Sequence, residues 1–376
     1  MEISYLSTSR LPTQKAYGVT VIESWRAAQR SGINLKIYSP GPTEIQAFEK
    51  IVHLPSIEIP LPLRKLKIPR TRKVIFGINS ILIPLFALTN KEFQQTKNIW
   101  LRDPLSALVL TYLQPEKKIL LEIHHKPVGF GRLILKRLQS QENVKFSAIS
   151  PRLILQLLAD YPSLNIFESP MAVPTSFFRS QKITSLGIPL KLLYVGKGQS
   201  SGFDNGLAQL VLDFARVVKS KPSVSLTFLG LEPEFKNLVR ELQNDLQIPL
   251  ESIILLDHVP HNEVIEVVAN HDVGILPYPQ STYNDERFPI KTLEYAAAGK
   301  IILASNIESH TEIIGLDNAY FYTPGRAGSF ENVISEIVTN QEASDRKILS
   351  ALSWAKGFTY EKRIQRVVSN WLGTNF

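Results

Sequence analysis

The 376-residue sequence contains no cysteine. The chain therefore cannot form disulfides, use a thiolate nucleophile or bind zinc through cysteine, and it is suited to a reducing cytoplasm. We expect no secretory signal peptide, because Glu2 and Ser4 interrupt the first apolar run and Arg10 follows it. The expected location is the cytoplasm.

Three motifs of enzyme sites are also missing. There is no Gly-x-Ser-x-Gly elbow, so an esterase-type triad finds no support. There is no His-x-x-x-His pattern and no Asp-x-Asp pair to hold a divalent ion. We expect no metal site and no permanently bound cofactor.

Acidic residues are scarce in the first half of the chain. Residues 1–188 contain 25 Lys and Arg against 12 Asp and Glu, whereas residues 189–376 contain 17 against 22. The net charge of +8 thus combines a half of +13 with a half of −5. A basic half of this kind indicates contact with an anionic surface or substrate.

The densest positive patch lies within residues 64–73, and an apolar run too short to span a bilayer follows it at 74–88. One interpretation is a solvated basic loop before a buried helix, and the other is contact with anionic lipid at the inner face of the membrane. We expect no nucleic-acid partner, because no aromatic platform accompanies the charge. The patch consists of Arg64, Lys65, Lys67, Arg70, Arg72 and Lys73.

The alternation of apolar strands and amphipathic helices predicts two doubly wound α/β domains. The first is expected over residues 1–180, and the pattern begins again near residue 190. The second is expected over 190–345. Residues 346–376 are predicted to be helical and to return to the first domain.

Residues 284–305 predict a loop, a helix and a buried strand. Pro289 suits the first helical turn, where its missing N–H would be unpaired in any case. Gly299 suits a left-handed helix end, and an apolar strand follows at 301–303. Glu286 and Glu294 could be a solvated pair, or they could bind a ligand beside a helix N-terminus that attracts phosphate.

The turn at 196–202, with spacing Gly-x-Gly-x-x-x-Gly, follows a predicted strand and is expected to open a helix. Its glycines could serve the turn geometry alone or let backbone N–H groups approach a phosphate. Lys197 adds a cation there.

Two histidines directly follow the predicted strand at 118–123, and the ends of such strands are where open α/β sheets bind ligands. Because adjacent strand residues face opposite ways, we expect one of His124 and His125 to face the cleft, without deciding which. At another strand end, Arg102 and Asp103 are interpreted as an ordinary surface pair.

The segment from Glu286 to Glu294, with Tyr-Ala-Ala-Ala-Gly-Lys after it, resembles the signature of glycosyltransferase family 4. Shorter stretches at 169–178, 193–197 and 228–230 resemble other parts of that family. The family implies the GT-B fold, in which two Rossmann-like domains face a cleft. It also implies retaining, metal-independent transfer from a nucleoside-diphosphate sugar, such as a UDP- or GDP-sugar, to a glycan or lipid-linked acceptor.

The resemblance assigns roles to particular residues. Glu294 would hold the ribose hydroxyls, Glu286 the transferred sugar and Lys197 the diphosphate. Backbone amides at 288, 290 and 291 would approach the donor. The implied catalytic residues are His124, His125, Lys197 and Glu286, and the implied donor-binding residues are Gly196, Gly198, Gly230, Val259, Phe288, Pro289, Ile290, Lys291 and Glu294.

The sequence departs from the family pattern at the phosphate. The second cation expected after the turn is missing, because residues 199–202 are Gln-Ser-Ser-Gly. Either Lys291 replaces this cation, or the phosphate is held more weakly. Two alternatives stay open: a glycan- or nucleotide-sugar-binding protein without activity, and a dinucleotide-dependent oxidoreductase whose required acidic residue could only be Glu232.

Overall fold

The computed structural model forms two compact units, Met1–Pro170 with Tyr360–Phe376, and Met171–Thr359. Each unit is built on its own parallel sheet. The residues that the structure describes are 1–9, 11, 16–39, 56–58, 72–180, 189–221 and 223–374.

The described part of the first unit contains a seven-stranded parallel sheet in the order β3-β2-β1-β4-β5-β6-β7. Its strands are β1 Glu2–Leu6, β2 Asn34–Ser39, β3 Ser56–Glu58, β4 Asn98–Leu101, β5 Lys118–Ile123, β6 Val144–Ala148 and β7 Ile166–Glu168. The connecting helices are α1 Ala16–Arg30, α2 Arg72–Ala87, α3 Lys91–Gln95, α4 Pro104–Leu113, α5 Phe130–Leu138 and α6 Pro151–Asp160.

The described part of the second unit contains a six-stranded parallel sheet in the order β12-β11-β8-β13-β14-β15, and a small antiparallel hairpin of β9 and β10. Its strands are β8 Leu190–Val195, β9 Gln199–Ser200, β10 Phe203–Asp204, β11 Val224–Leu229, β12 Ile253–Leu256, β13 Val273–Leu276, β14 Ile301–Ser305 and β15 Tyr320–Tyr322. Its helices are α7 Leu207–Ser220, α8 Pro233–Asp245, α9 His261–Ala269, α10 Thr282–Glu286, α11 Ile290–Ala297, α12 Glu308–Ile314, α13 Ser329–Thr339 and α14 Gln341–Ala355.

The two sheets confirm the prediction of two doubly wound α/β domains. Their inner strands are apolar because helices cover both faces of a parallel sheet. β8, for example, buries every residue except Lys191.

The end of the chain differs from the continuous helical stretch that the sequence predicted. Helix α14 ends at Ala355, and a separate helix, α15 Tyr360–Leu372, packs against α1 in the first unit. Between the two helices the chain turns at residues 356–358, and the Phe358 carbonyl accepts a hydrogen bond of 2.9 Å from the Val173 N–H. This bond satisfies a backbone group that a continuous helix would use internally.

Helix α11 is fixed to the sheet by Tyr295. Its ring lies against Gly274 of β13, where an added Cβ would come within 2.2 Å of the ring. The Tyr295 hydroxyl accepts a 3.2 Å hydrogen bond from the Val195 N–H. Gly299 ends the helix with a φ of 68°, as predicted. Pro289 does not lie in the first turn but directly before it, as the N-cap.

Candidate functional site

Glu294 is a buried carboxylate in α11, with 1% of its surface exposed. Lys291 Nζ donates to its Oε2 at 2.6 Å, and His261 Nε2 donates to its Oε1 at 3.1 Å. Burial acts to raise the pKa of Glu294, but the charge of Lys291 and the hydrogen bond from His261 outweigh it and lower the pKa to about 2. Glu294 is therefore ionised at neutral pH, and its oxygens retain lone pairs for ligand hydroxyls.

The start of α11 offers backbone N–H groups. Pro289, its N-cap, supplies no side-chain hydrogen bond to the first turn. The first N–H groups of a helix have no acceptor inside it, so Ile290 and Lys291 can donate to a ligand. The hydroxyl of Thr292, in the same turn, is buried and has no partner among the described residues.

The residues before α11 hold this start in place. Glu286 is half-buried and forms the last residue of the short helix α10, not part of a loop as predicted. Phe288 is buried, and its ring packs against Phe358 at 5.8 Å between centroids. Val259 is half-buried in the loop that leads to His261.

The glycine-rich turn after β8 does not open a helix directly, contrary to the prediction, because the β9–β10 hairpin lies between the turn and α7. Gly198 packs under Phe235, where a Cβ would come within 2.0 Å of the ring. Gly196 donates its N–H to the Leu229 carbonyl at 3.0 Å. The packing explains why residue 198 is glycine.

Glu232 accepts hydrogen bonds from two donors of this turn. It accepts from the Gly198 N–H at 3.1 Å and from Lys197 Nζ at 2.9 Å. Burial acts to raise the pKa of Glu232, but the hydrogen bond from Lys197 outweighs it and holds the pKa below its ordinary value. Gly230, two residues earlier, has a φ of 87°, which favours glycine. The Lys197 charge is therefore paired with a carboxylate.

Arg287 is a cation with neutral hydrogen-bond partners. Its Nη1 donates to the amide oxygens of Asn284 at 3.1 Å and Asn205 at 3.3 Å. Its guanidinium lies 3.8 Å from the centroid of the Tyr278 ring. Asn205 also donates to the Lys197 carbonyl at 2.7 Å, so one amide joins Arg287 to the glycine-rich turn.

Buried polar groups support the ring under Arg287. Ser305 Oγ donates to the Tyr278 carbonyl at 2.6 Å, and His310 Nδ1 donates to the Ser305 carbonyl at 3.0 Å. The His310 ring packs edge-on to Tyr278. Burial lowers the pKa of His310 from 6.5 to about 4, so this histidine is neutral in the folded protein.

We expect His310 to make the second unit acid-sensitive. Its pKa is lower when folded, so its contribution to the free energy of unfolding is complete above pH 6.5 and is lost as the pH falls through 4. The loss corresponds to about 3 kcal/mol. Urea unfolding of the wild type and of a His310→Asn variant should therefore converge between pH 7 and 4, and a stability difference that is constant with pH would contradict this role.

In the first unit, Glu122 of β5 gathers buried cations and a histidine. Its Oε2 accepts from Arg363 Nη2 at 2.8 Å and from the Trp100 indole N–H at 3.0 Å. Its Oε1 accepts from Arg102 Nη2 at 2.7 Å and from His124 Nε2. Burial acts to raise the pKa of Glu122, but the two arginine charges outweigh it and hold the pKa well below its ordinary range.

His124 is held by this network, whereas His125 is exposed. Burial and the charge of Arg102 lower the pKa of His124 to about 4, so the ring is neutral at pH 7. With Nε2 donating to Glu122, Nδ1 carries a lone pair and can accept a hydrogen bond.

The interpretation of Arg102 and Asp103 as a surface pair is wrong. The Arg102 side chain is largely buried against Glu122, and its guanidinium lies 4.9 Å from the centroid of the Tyr17 ring. Asp103 caps α4 by accepting from the Ser106 N–H at 2.7 Å. The sequence Asp-Pro before an apolar run is a helix-start signal that could have identified this cap.

Several residues around the candidate sites were not selected from the sequence. His261 begins a helix directly after the loop containing Val259, a position that could have drawn attention to it. Arg287 follows Glu286 inside the signature itself. Glu122 and Arg363 are 241 residues apart, and no local pattern connects them.

The remaining predictions concern metals and membranes. Over the described ranges, no three acidic or histidine side chains are grouped as metal ligands. In that same part of the chain, every helix is too short or too polar to cross a bilayer. The basic patch lies outside the described residues at 64–71, and only the backbone is described at 72–73.

Comparison with known proteins finds a family match that covers most of the second unit. Residues 181–351 match the family model for glycosyl transferases group 1. A stretch of 115 residues is 33% identical to a provisionally named teichuronic acid biosynthesis glycosyltransferase, TuaH of Bacillus subtilis (strain 168). The match spans 30% of this chain and 28% of TuaH.

Solved structures resemble the whole chain. Sucrose-phosphate synthase of Thermosynechococcus elongatus has a TM-score of 0.75 at 15% identity, with 99% of this chain and 98% of that chain covered. Anabaena Alr3699/HepE, in complex with UDP and glucose, has a TM-score of 0.74 at 12% identity, with both chains covered completely. At these identities the likeness establishes the fold alone, which is GT-B.

Proposed function

We propose that the protein transfers a glycosyl unit from a nucleoside-diphosphate sugar to a glycan or lipid-linked acceptor, on the premise that residues 181–351 match the model for glycosyl transferases group 1 and that the fold is GT-B. The observation that carries the proposal is Glu294, buried and ionised in the helix whose N-terminus is open to an anion. The UDP and glucose in the HepE complex support this class of donor.

The donor is proposed to bind the second unit. A buried carboxylate with remaining lone pairs suits two vicinal hydroxyls, so Glu294 would accept from the ribose. Glu286 would accept from hydroxyls of the transferred sugar. The N–H groups of Phe288, Ile290 and Lys291 would meet the sugar and diphosphate, with Gly196, Gly198, Gly230 and Val259 lining the same donor site.

We propose that Arg287 supplies the phosphate-binding charge that the glycine-rich turn lacks. Lys291 is paired with the carboxylate of Glu294, and Lys197 with that of Glu232. The hydrogen-bond partners of Arg287 are neutral amides, and Asn205 places it beside the turn. Its positive charge is therefore not cancelled by a bonded carboxylate, which suits a leaving diphosphate.

An Arg287→Gln variant should bind nucleoside diphosphates about 10- to 100-fold more weakly, because a hydrogen bond between charged groups contributes about 1.5–3 kcal/mol. Calorimetry with UDP and uridine, and with GDP and guanosine, separates the phosphate from the base. Nucleoside affinity should be unchanged. Arg346→Gln, an exposed arginine on α14, is the matched control. Equal losses for nucleoside and diphosphate would contradict a phosphate contact.

Transfer is proposed to retain the anomeric configuration without a metal ion. The bond from the sugar C1 to the diphosphate oxygen breaks, and the acceptor oxygen bonds to C1 on the same face. The acceptor proton passes to the leaving diphosphate, so no protein base is needed. Arg287 and the α11 N–H groups stabilise the negative charge that develops on the diphosphate.

The first unit is proposed to serve the acceptor side. The neutral His124 would accept a hydrogen bond from a hydroxyl of the acceptor through Nδ1, and Glu122 fixes this tautomer. The charge of +13 over residues 1–188 suits an anionic, lipid-linked acceptor and the inner surface of a membrane.

A thermal-shift panel of UDP, GDP, ADP, their sugars and NAD tests the donor class. We expect one nucleoside diphosphate and its sugar to raise the melting temperature of the wild type, and the shift to disappear in Glu294→Ala. Stabilisation by NAD alone would favour a dinucleotide enzyme. The absence of a shift with every nucleotide sugar would contradict the proposed function.

A further inference from the structure

Three large apolar side chains are exposed together at the start of α5. Val128 is 76% exposed, Phe130 66% and Leu133 63%. The opposite face of α5 buries Ile134 and Leu135, and the helix packs beside α4. The three exposed apolar side chains are therefore not part of the hydrophobic core. An exposed apolar patch of this kind is typical of an interaction site.

Positive charge surrounds this apolar tip. Arg132, Lys136 and Arg137 are exposed on the same helix. Residues 124–138 contain no Asp or Glu, and α4 beside it contains no charged residue. At the border, Arg137 donates to the hydroxyl of Tyr112, which is itself 55% exposed. An amphipathic helix of this composition suits an anionic bilayer surface.

The shape of the tip favours a bilayer over a protein partner. Gly129, between Val128 and Phe130, has a φ of 55°, and a Cβ added there would meet no atom within 4 Å. Val128 thus lies in the loop before α5, and Phe130 and Leu133 lie in the first turn of the helix. All three are more than 60% exposed, so they do not line a groove. Protein-binding hot spots are packed in pockets, whereas a projecting apolar turn with flanking cations can enter the headgroup region.

We propose that the α5 tip, defined as Val128, Phe130, Leu133, Arg132, Lys136 and Arg137, docks the first unit on an anionic lipid bilayer. His124 lies at the end of β5, and only five residues separate it from Phe130. Docking here would hold the strand end that carries His124 near the lipid surface. The link to a lipid-linked acceptor rests on the proposed function, but the docking itself does not.

Co-sedimentation with vesicles tests the docking directly. The wild type should bind phosphatidylcholine vesicles that contain phosphatidylglycerol and should not bind phosphatidylcholine alone. The double variant Phe130→Ser/Leu133→Ser should bind at least about tenfold more weakly, because two apolar side chains that enter the bilayer are lost. Leu155→Ser is the matched control, since Leu155 is 69% exposed on α6.

A charge variant completes the experiment. Arg132→Gln/Lys136→Gln/Arg137→Gln should also weaken binding at least about tenfold, because three positive charges near the anionic surface are lost. A third variant neutralises the six basic residues of 64–73. The proposal would be overturned if only the variant at 64–73 lost vesicle binding. It would also be overturned if either α5-tip variant bound vesicles as well as the wild type does. Nucleotide thermal shifts on all variants report the fold and test the donor site separately.

Discussion

Alanine in place of Glu294 is expected to weaken the binding of a nucleoside-diphosphate sugar by about 100-fold or more. The carboxylate would accept two hydroxyl hydrogen bonds, and charge-assisted bonds contribute about 1.5–3 kcal/mol each. The variant also releases Lys291 and His261, which now bind the carboxylate. Both effects weaken donor binding, because the site loses its hydrogen-bond acceptors and the side chains around them are no longer held in place.

Calorimetry with UDP- and GDP-sugars measures this loss, and Glu294→Gln separates charge from shape. The glutamine keeps the size of the side chain and one acceptor, so we expect an intermediate affinity. Glu241→Ala, on the exposed face of α8, is the control for removal of a carboxylate. Donor affinity within about twofold of the wild type in Glu294→Ala would be inconsistent with the ribose role, since one weak hydrogen bond already exceeds that change.

Glutamine in place of Glu122 is expected to destabilise the first unit by about 3–5 kcal/mol. Removing one partner of a buried ion pair leaves an uncompensated charge, and such losses are typically of this size. Here Arg363 is 1% exposed in its side chain and Arg102 is largely buried, so two cations lose their anion together. The amide also cannot accept from all four present donors.

Hydrogen exchange of the β5 amides, together with urea unfolding, measures the effect in the first unit. The double variant Glu122→Gln/Arg363→Met removes one buried cation together with its carboxylate partner. We therefore expect it to be more stable than Glu122→Gln and less stable than the wild type. The pKa of Glu122 is lowered on folding, so its contribution is present above about pH 4.5 and is lost as the pH falls further. If the free energy of unfolding fell equally with decreasing pH in the wild type and in Glu122→Gln, the result would argue against the ion pairs.

The repeating strands and helices could be predicted because each depends on local sequence. Buried parallel strands need continuous apolar runs, and caps such as Gly299 have local signals. The hairpin after the glycine-rich turn escaped prediction because two-residue strands carry no periodic pattern. The start of α11 was misplaced by one residue because proline suits both the N-cap and the first turn.

The side-chain partners could be predicted much less well. Glu294 was selected from its segment, and the structure adds that Lys291, the possible phosphate-binding cation, contacts Glu294. The partner of Arg102 lies on the neighbouring strand, and Arg363 comes from the far end of the chain. Such contacts depend on strand order and helix return, which spacing along the sequence does not specify.

The return of α15 has a consequence for the order in which the chain folds during synthesis. The ribosome completes the seven described strands of the first unit, and then residues 171–359 of the second unit, before Arg363 is made. Until then Glu122 lacks one of its two buried cations, and the face of α1 that α15 covers remains open. A nascent chain therefore carries an incomplete first unit while the second unit folds. Residues 1–170 expressed alone would correspond to that unfinished state.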